Sequence, residues 1–230
     1  MIYDKITNFV YISDKLRELY EPENEKIISI FNKHNIKHKE LTGTRDIWCR
    51  DYCPIQVDKS KFIQFDYHPS YLRGDLKIRT NPFKIPELKS LKAIDKTCIN
   101  LDGGNLIKYK TKAILTDRIY SENCKQHGDK IFLDELKTLL EVDKVFVIPA
   151  DKEDFTGHAD GMVKFIDDKH ILLNNYKSTS DKGSIKLEKR IREILRNEFD
   201  VISFPIRFDN NNCESAIECY INFLQIGNLI

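Results

Sequence analysis

"GMVKFIDDKHILLNN" (161–175), followed by "SIKLEKRIREILRNEF" (184–199) and "DVISFPI" (200–206), is the stretch that decides the fold. Its first piece sets short apolar runs on either side of "IDDK", which predicts a β-hairpin. The second reads as a helix and the third as a strand, so the unit is strand, strand, helix, strand. The same order recurs upstream: "NLIKYKTKAILTD" (105–117) turns at "YKTK", then come the helix pattern "IFLDELKTLLEV" and the strand "KVFVIPA". "PIQVDKSKFIQFDY" (54–67) predicts an earlier hairpin turning at "DKSK", and "CYINFLQIGNLI" (219–230) a later one turning near "QIGN". Ahead of them all, "NEKIISIFNKHN" (24–35) spaces Ile27, Ile30 and Phe31 as a helix does, and "IKHKEL" (36–41) reads as a strand.

The hairpins begin near Pro54, Asn105, Gly161 and Cys219, roughly fifty to sixty residues apart. Such a period predicts an α/β propeller-like array, in which neighbouring units complete one another's core. The competing reading is an ordinary α+β sheet whose segments happen to match in length. On the array reading, residues 1–230 are a single propeller domain that is C-terminally incomplete, truncated within the fourth unit. An array cut in this way exposes unpaired strand edges, so self-association into a homo-oligomer, or dependence on a partner chain, is expected.

Composition narrows the partners. The chain is 41% hydrophobic and 32% charged, enough apolar material for one sizeable core. Lys+Arg 37 against Asp+Glu 36 leaves a net charge of +1, which argues against nucleic acid or an acidic membrane as a partner. The start, "MIYDKITNFVYISDK", has neither a basic n-region nor an uninterrupted apolar run, and no segment reaches the ~18 apolar residues of a membrane span. A cytoplasmic location is expected, with the six cysteines mostly as thiols.

The unusual segments all fall in one kind of place. "TGTRDIWCRDYC", "NLDGGN", "DKEDFTGHADG" and "RFDNNNCESAIEC" each link a unit's last strand to the next hairpin. In a repeat array equivalent links lie on one face, so these four are expected to converge. Asp51, Asp102 and Asp160 would then bring carboxylates together, with His158 and Trp48 close in sequence. Clustered carboxylates need a cation. The spacing does not suit a hard metal's oxygen shell, whereas a planar guanidinium can donate to carboxylates in bidentate pairs while an indole covers its stem or face.

These residues resemble the agmatine deiminase and bacterial (Porphyromonas-type) peptidyl-arginine deiminase family, whose fold is a five-unit α/β propeller, the pentein. "WCRDYCP" (48–54) looks like its W-x-R-D-x-x-P segment, and "LDGGN" (101–105) is similar to its acidic-Gly-Gly segment. "GHADGMVKF" (157–165) resembles its G-H-x-D segment, and "CYINFL" (219–224) the aromatic-Asn-Phe strand that follows. The resemblance implies that Asp51 and Asp160 grip a guanidinium and that His158 is the general acid and base. It also implies a supporting role for Asp102, a pocket wall at Trp48, and a place for Gly104 and Asn105 in the substrate site. The implied partner is a small guanidine or an arginine-containing peptide, with no cofactor and no metal. In the family a cysteine near the C-terminus, in a Gly-rich segment, attacks the guanidinium carbon; no such segment occurs in residues 1–230.

Duller readings stand beside these. Trp48 also reads as core, His158 as a structural histidine, Gly103 and Gly104 as the turn into a hairpin, and "KLEKRIREILR" as a solvated helix face. A non-catalytic remnant that binds guanidines or a partner chain is the second reading of function. A structural zinc site from Cys49, Cys53, Cys124 and His127 is a third. Cys213 reads as an alternative nucleophile one unit early, and Cys219 as packing.

Overall fold

A computed structural model describes residues 3–91, 94–176, 181–205 and 219–230. The chain divides into two compact units, one of residues 2–103 with 225–230 and one of residues 104–224.

The first unit opens with β1 (Phe9–Ser13), α1 (Asp14–Leu19), α2 (Glu21–Lys33) and β2 (Lys37–Leu41). β1 and β2 pair in parallel, Phe9 opposite Lys37 and Ser13 opposite Leu41. Ser13 ends the strand and starts the helix, because its Oγ accepts from the Lys15 backbone N–H at 3.0 Å. Helix α2 falls where its sequence predicts, but its inner face differs from the expected one. Asn24 and Phe31 are buried, while Ile30 is 53% exposed. Phe31 sits 5.2 Å from the His38 ring on β2, and that contact turns Ile30 outward.

After α3 (Cys49–Tyr52) come β3 (Ile55–Asp58), β4 (Lys61–Asp66), α4 (Pro86–Lys89) and β5 (Ile94–Asn100). β3 and β4 form the expected hairpin, and β5 adds parallel to β4. The helix between them is one turn long, with prolines at 82 and 86 where a continuous helix would need backbone donors. Leu41, Tyr52, Tyr67, Ile85 and Leu88 form the buried cluster that this turn closes.

The second unit repeats the pattern twice. β6 (Ile107–Tyr109) and β7 (Lys112–Thr116) form a hairpin, then come α5 (Arg118–Glu122), α6 (Lys130–Leu140) and β8 (Lys144–Ile148), the last parallel to β7. β9 (Val163–Phe165) and β10 (His170–Asn174) form the next hairpin, followed by α7 (Lys182–Leu195) and β11 (Asp200–Phe204), parallel to β10. Helix α6 buries Phe132, Leu136 and Leu140, one stripe at helical spacing, and stops at Glu141 in the left-handed region. Helix α7 buries Ile191 and Leu195 and leaves Lys186, Lys189 and Arg190 in solvent, the solvated face read from the sequence. Its Glu188 is fully buried and paired with Arg192 at 2.7 Å. The two sheets meet through an aromatic chain, Tyr109 to Phe165 at 5.7 Å, Phe165 to Phe199 at 5.5 Å and Phe199 to Phe146 at 5.2 Å.

Among the described residues three units of strand, strand, helix and strand are therefore present, and the fourth hairpin is not. Residues 219–230 hold turns and one isolated bridge, Ile226 to Leu229, around Gly227. The turn lies where "QIGN" placed it, but no strands flank it. Each observed hairpin gains a third strand parallel to its second, and 219–230 has no such strand among the described residues. A two-stranded ribbon alone is marginal in water. Its backbone groups bond otherwise: the Asn222 N–H donates to the Cys219 carbonyl at 3.3 Å, and Lys164 Nζ donates to the Phe223 carbonyl at 2.8 Å.

Candidate functional site

In the first unit the segment "RDIWCRD" resolves the purpose of each charge. Asp46 Oδ1 accepts from the Trp48 N–H at 2.8 Å, and its Oδ2 accepts from the Thr80 hydroxyl at 2.9 Å. Burial raises its carboxyl above the usual range. Asp46 is thus a brace for the turn. Arg45 Nη1 donates to the Leu76 carbonyl at 3.1 Å, which ties down the segment after β4. The turn α3 then carries Asp51, half-buried, while Trp48 in front of it is 55% exposed. Trp48 is therefore not core.

Asp102 is brought to the same place. Arg50 Nε donates to the Gly103 carbonyl at 3.2 Å, and a Cβ built on Gly103 would lie 1.9 Å from the Arg50 carbonyl oxygen. Only glycine permits that approach of backbones. Asp102, next to it, is 8% exposed. Both carboxylates face two phenols that sequence reasoning missed, Tyr67 and Tyr71. Burial raises both hydroxyls far above the usual tyrosine range, and the charges of Asp51 and Asp102 raise them further. Tyr71 hydrogen-bonds the Asp102 carboxylate and the Tyr67 hydroxyl. The sequence signal was "DYHPSY", a tyrosine-rich exit from β4 that ends in a proline turn.

The second unit carries His158 and Asp160. Gly157 has φ +59°, and a Cβ there would meet Arg118 Cδ at 2.7 Å and Ala150 Cβ at 3.2 Å. That bend sets His158, 6% exposed, at the start of the single turn Ala159–Gly161, which holds Asp160 at 9%. The turn is pinned from β10, since Asn174 Nδ2 donates to the Gly161 carbonyl at 2.7 Å. Gly104 and Asn105 are buried in the turn Gly103–Asn105. Asn105 Oδ1 accepts from the Thr116 N–H at 2.9 Å, and the Thr116 hydroxyl lies 2.8 Å from both that oxygen and the Gly157 carbonyl. Asn105 thus fixes the bend ahead of His158. Thr116→Val is expected to cost about 2 kcal/mol by stranding one of these acceptors; chemical denaturation reads it, and an unchanged midpoint would show the hydroxyl idle.

Cys219 Sγ stands 3.5 Å from the Gly161 carbonyl, and burial, then the Asp160 charge, pushes its thiol up to about 11. Burial likewise pushes Cys49 up to about 11 and Cys53 well above the usual range. Cys213 lies outside the described residues. Among the described residues no group of three or more His, Cys, Asp or Glu is placed to hold a metal, and His127 packs on the Tyr120 ring at 5.1 Å. No helix among them is long and apolar enough to cross a membrane.

Solved structures share this fold. Agmatine deiminase from C. jejuni has 18% identity and a TM-score of 0.71, covering 99% of this chain and 80% of its own. A substrate-bound form of that enzyme gives 19% and 0.70, with the same coverage of 99% and 80%. Agmatine deiminase from Enterococcus faecalis gives 16% and 0.65, covering 94% and 72%. At such identities the likeness establishes a shared fold. No curated protein matches the chain. The family model described as Porphyromonas-type peptidyl-arginine deiminase matches residues 11–230. The chain belongs to that family.

Proposed function

We propose that this protein acts on a guanidine, agmatine or a peptide-borne arginine, in the deiminase manner. The observation that carries the reading is the approach of Asp51 and Asp102, through the Arg50–Gly103 contact, against the buried Tyr67 and the half-buried Tyr71. A planar cation is the ligand such a pair suits. Asp51 and Asp160 take the guanidinium N–H groups, Asp102 supports them, and Trp48 covers the exposed side. His158 is the acid and base. In the reaction a thiolate adds to the guanidinium carbon, His158 gives its proton to the departing ammonia, and the carbon–nitrogen bond breaks. Water then attacks the thiouronium, giving up a proton to His158, and the carbon–sulfur bond breaks to leave a ureido product. The three sheets, with β1 and β2 as a half-unit, are read here as blades of one propeller domain.

Agmatine should raise the melting temperature more than putrescine, which has the same chain and an amine in place of the guanidine. Asp51→Asn should weaken agmatine about 30-fold, the ~2 kcal/mol of a charged hydrogen-bonded pair, and Asp160→Asn by a similar factor. Equal shifts for the two ligands, or none in a folded sample, would remove the assignment. A guanidine-binding remnant without turnover is the second reading, favoured by the raised thiols of Cys49, Cys53 and Cys219.

A further inference from the structure

Tyr67 and Tyr71 are absent from the motif on which the guanidine reading was built, yet both sit at its carboxylates. We infer that Tyr71, backed by Tyr67, is a positioning residue that fixes the Asp102 carboxylate beside Asp51, where it supports the carboxylate that takes the guanidinium. This rests on the proposed function and adds to it a residue pair and a task.

The backing runs from the core outward. Tyr67 is 5% exposed and its ring meets the Tyr52 ring edge-on at 5.9 Å. Tyr52 follows Asp51 directly in α3, so the core that seats Tyr67 also seats the turn carrying Asp51. Tyr71 lies on the single turn Ser70–Leu72, whose Leu72 packs against the same cluster. The approach to that turn is clasped to the strand leading to Asp102: the His68 N–H donates to Asn100 Oδ1 at 2.8 Å, and Asn100 Nδ2 donates to the His68 carbonyl at 3.0 Å. The Leu101 N–H donates to the Asp66 carbonyl at 3.1 Å. Phenol and carboxylate are therefore held on two segments locked together by reciprocal bonds.

The charged groups around the phenols are Asp102 and Asp51, with Asp46 also facing Tyr67 and Cys53 facing Asp51. In such a field a phenol remains a donor. A carboxylate that receives it loses rotational freedom and is presented in one orientation, which is what a bidentate partner requires. Removing the hydroxyl should leave the fold and release the carboxylate.

The test uses the 230-residue chain, with agmatine and putrescine titrated calorimetrically into wild type, Tyr71→Phe, Asp102→Asn and the double variant. Melting temperatures of the four without ligand give the coupling between the two side chains. Tyr71→Phe should weaken agmatine about tenfold, the loss of one bond to a charged group, and leave putrescine unchanged. The double variant should bind no more weakly than Asp102→Asn alone, and the melting shifts should be non-additive. Additive melting shifts would overturn the inference by showing the two groups unlinked. Non-additive shifts with unaltered agmatine affinity in Tyr71→Phe would overturn it too, leaving the hydroxyl a stability element. A wild type that binds neither ligand would sink the guanidine reading and this role with it, recognisably, because every variant would then be equally silent.

Discussion

Gly103→Ala should destabilise the protein by about 3 kcal/mol, near the upper end of overpacking costs, and abolish guanidine binding in whatever fraction stays folded. The added Cβ would sit 1.9 Å from the Arg50 carbonyl oxygen and 2.9 Å from its carbonyl carbon, so a backbone must move. Whichever segment yields, Asp51 and Asp102 separate, because each is the chain neighbour of one side of that contact. Gly157→Ala is the milder case. Its nearest obstacle is Arg118 Cδ at 2.7 Å, a side-chain atom rather than backbone, though the Phe155 carbonyl and Glu122 hold that guanidinium, and the φ of +59° adds a left-handed penalty of about 1–2 kcal/mol. Gly74 is the control, since nothing lies within 4 Å of a Cβ built there. Urea unfolding of the three variants should rank Gly103→Ala first and Gly74→Ala last. A Gly103→Ala protein as stable as the Gly74 control would mean that Arg50 and Gly103 do not touch.

The order of hairpins, helices and strands was legible because it rests on local signals. Turn residues such as "DKSK", "YKTK" and "IDDK" and the alternating runs around them act over a few positions, and all three hairpins formed there. The hairpin at 219–230 failed for a reason local signals do not contain. A ribbon with the right turn becomes a strand pair only when a third strand supports it, and that is a tertiary fact. The face of α2 failed in a similar way: Ile30 and Phe31 are equally apolar in sequence, and contact with His38 chose Phe31. In the candidate site, the sequence singled out Asp51 and Asp102 through their glycine and tryptophan neighbours. It could not separate Asp46, which braces the backbone of Trp48, from Asp51, which faces the phenols, since both follow an arginine in the same heptapeptide. Tyr67 and Tyr71 escaped because tyrosines after a strand usually pack, and only the burial of their hydroxyls against carboxylates gives them a role.

Residues 1–230 should release no ammonia from agmatine or peptidyl arginine at neutral pH, even where they bind guanidines. The covalent route needs a thiolate at the guanidinium carbon. Burial pushes Cys49 and Cys219 up to about 11 and Cys53 higher still, so at neutral pH these three thiols stay protonated. Where no thiolate stands at that carbon, water must attack a resonance-stabilised cation. General acid and base help from His158 is worth ~10²–10⁴-fold, short of the ~10⁶ or more of enzymatic catalysis. The expected outcome is therefore calorimetric binding of agmatine with ammonia at the level of the blank, and neither Cys49→Ser nor Cys219→Ser should alter the binding. Turnover that disappears in Cys219→Ser would place the nucleophile beside Asp160 after all. Turnover that survives there and disappears in Cys213→Ser would instead put it in the link after β11, where the sequence offers a cysteine among asparagines.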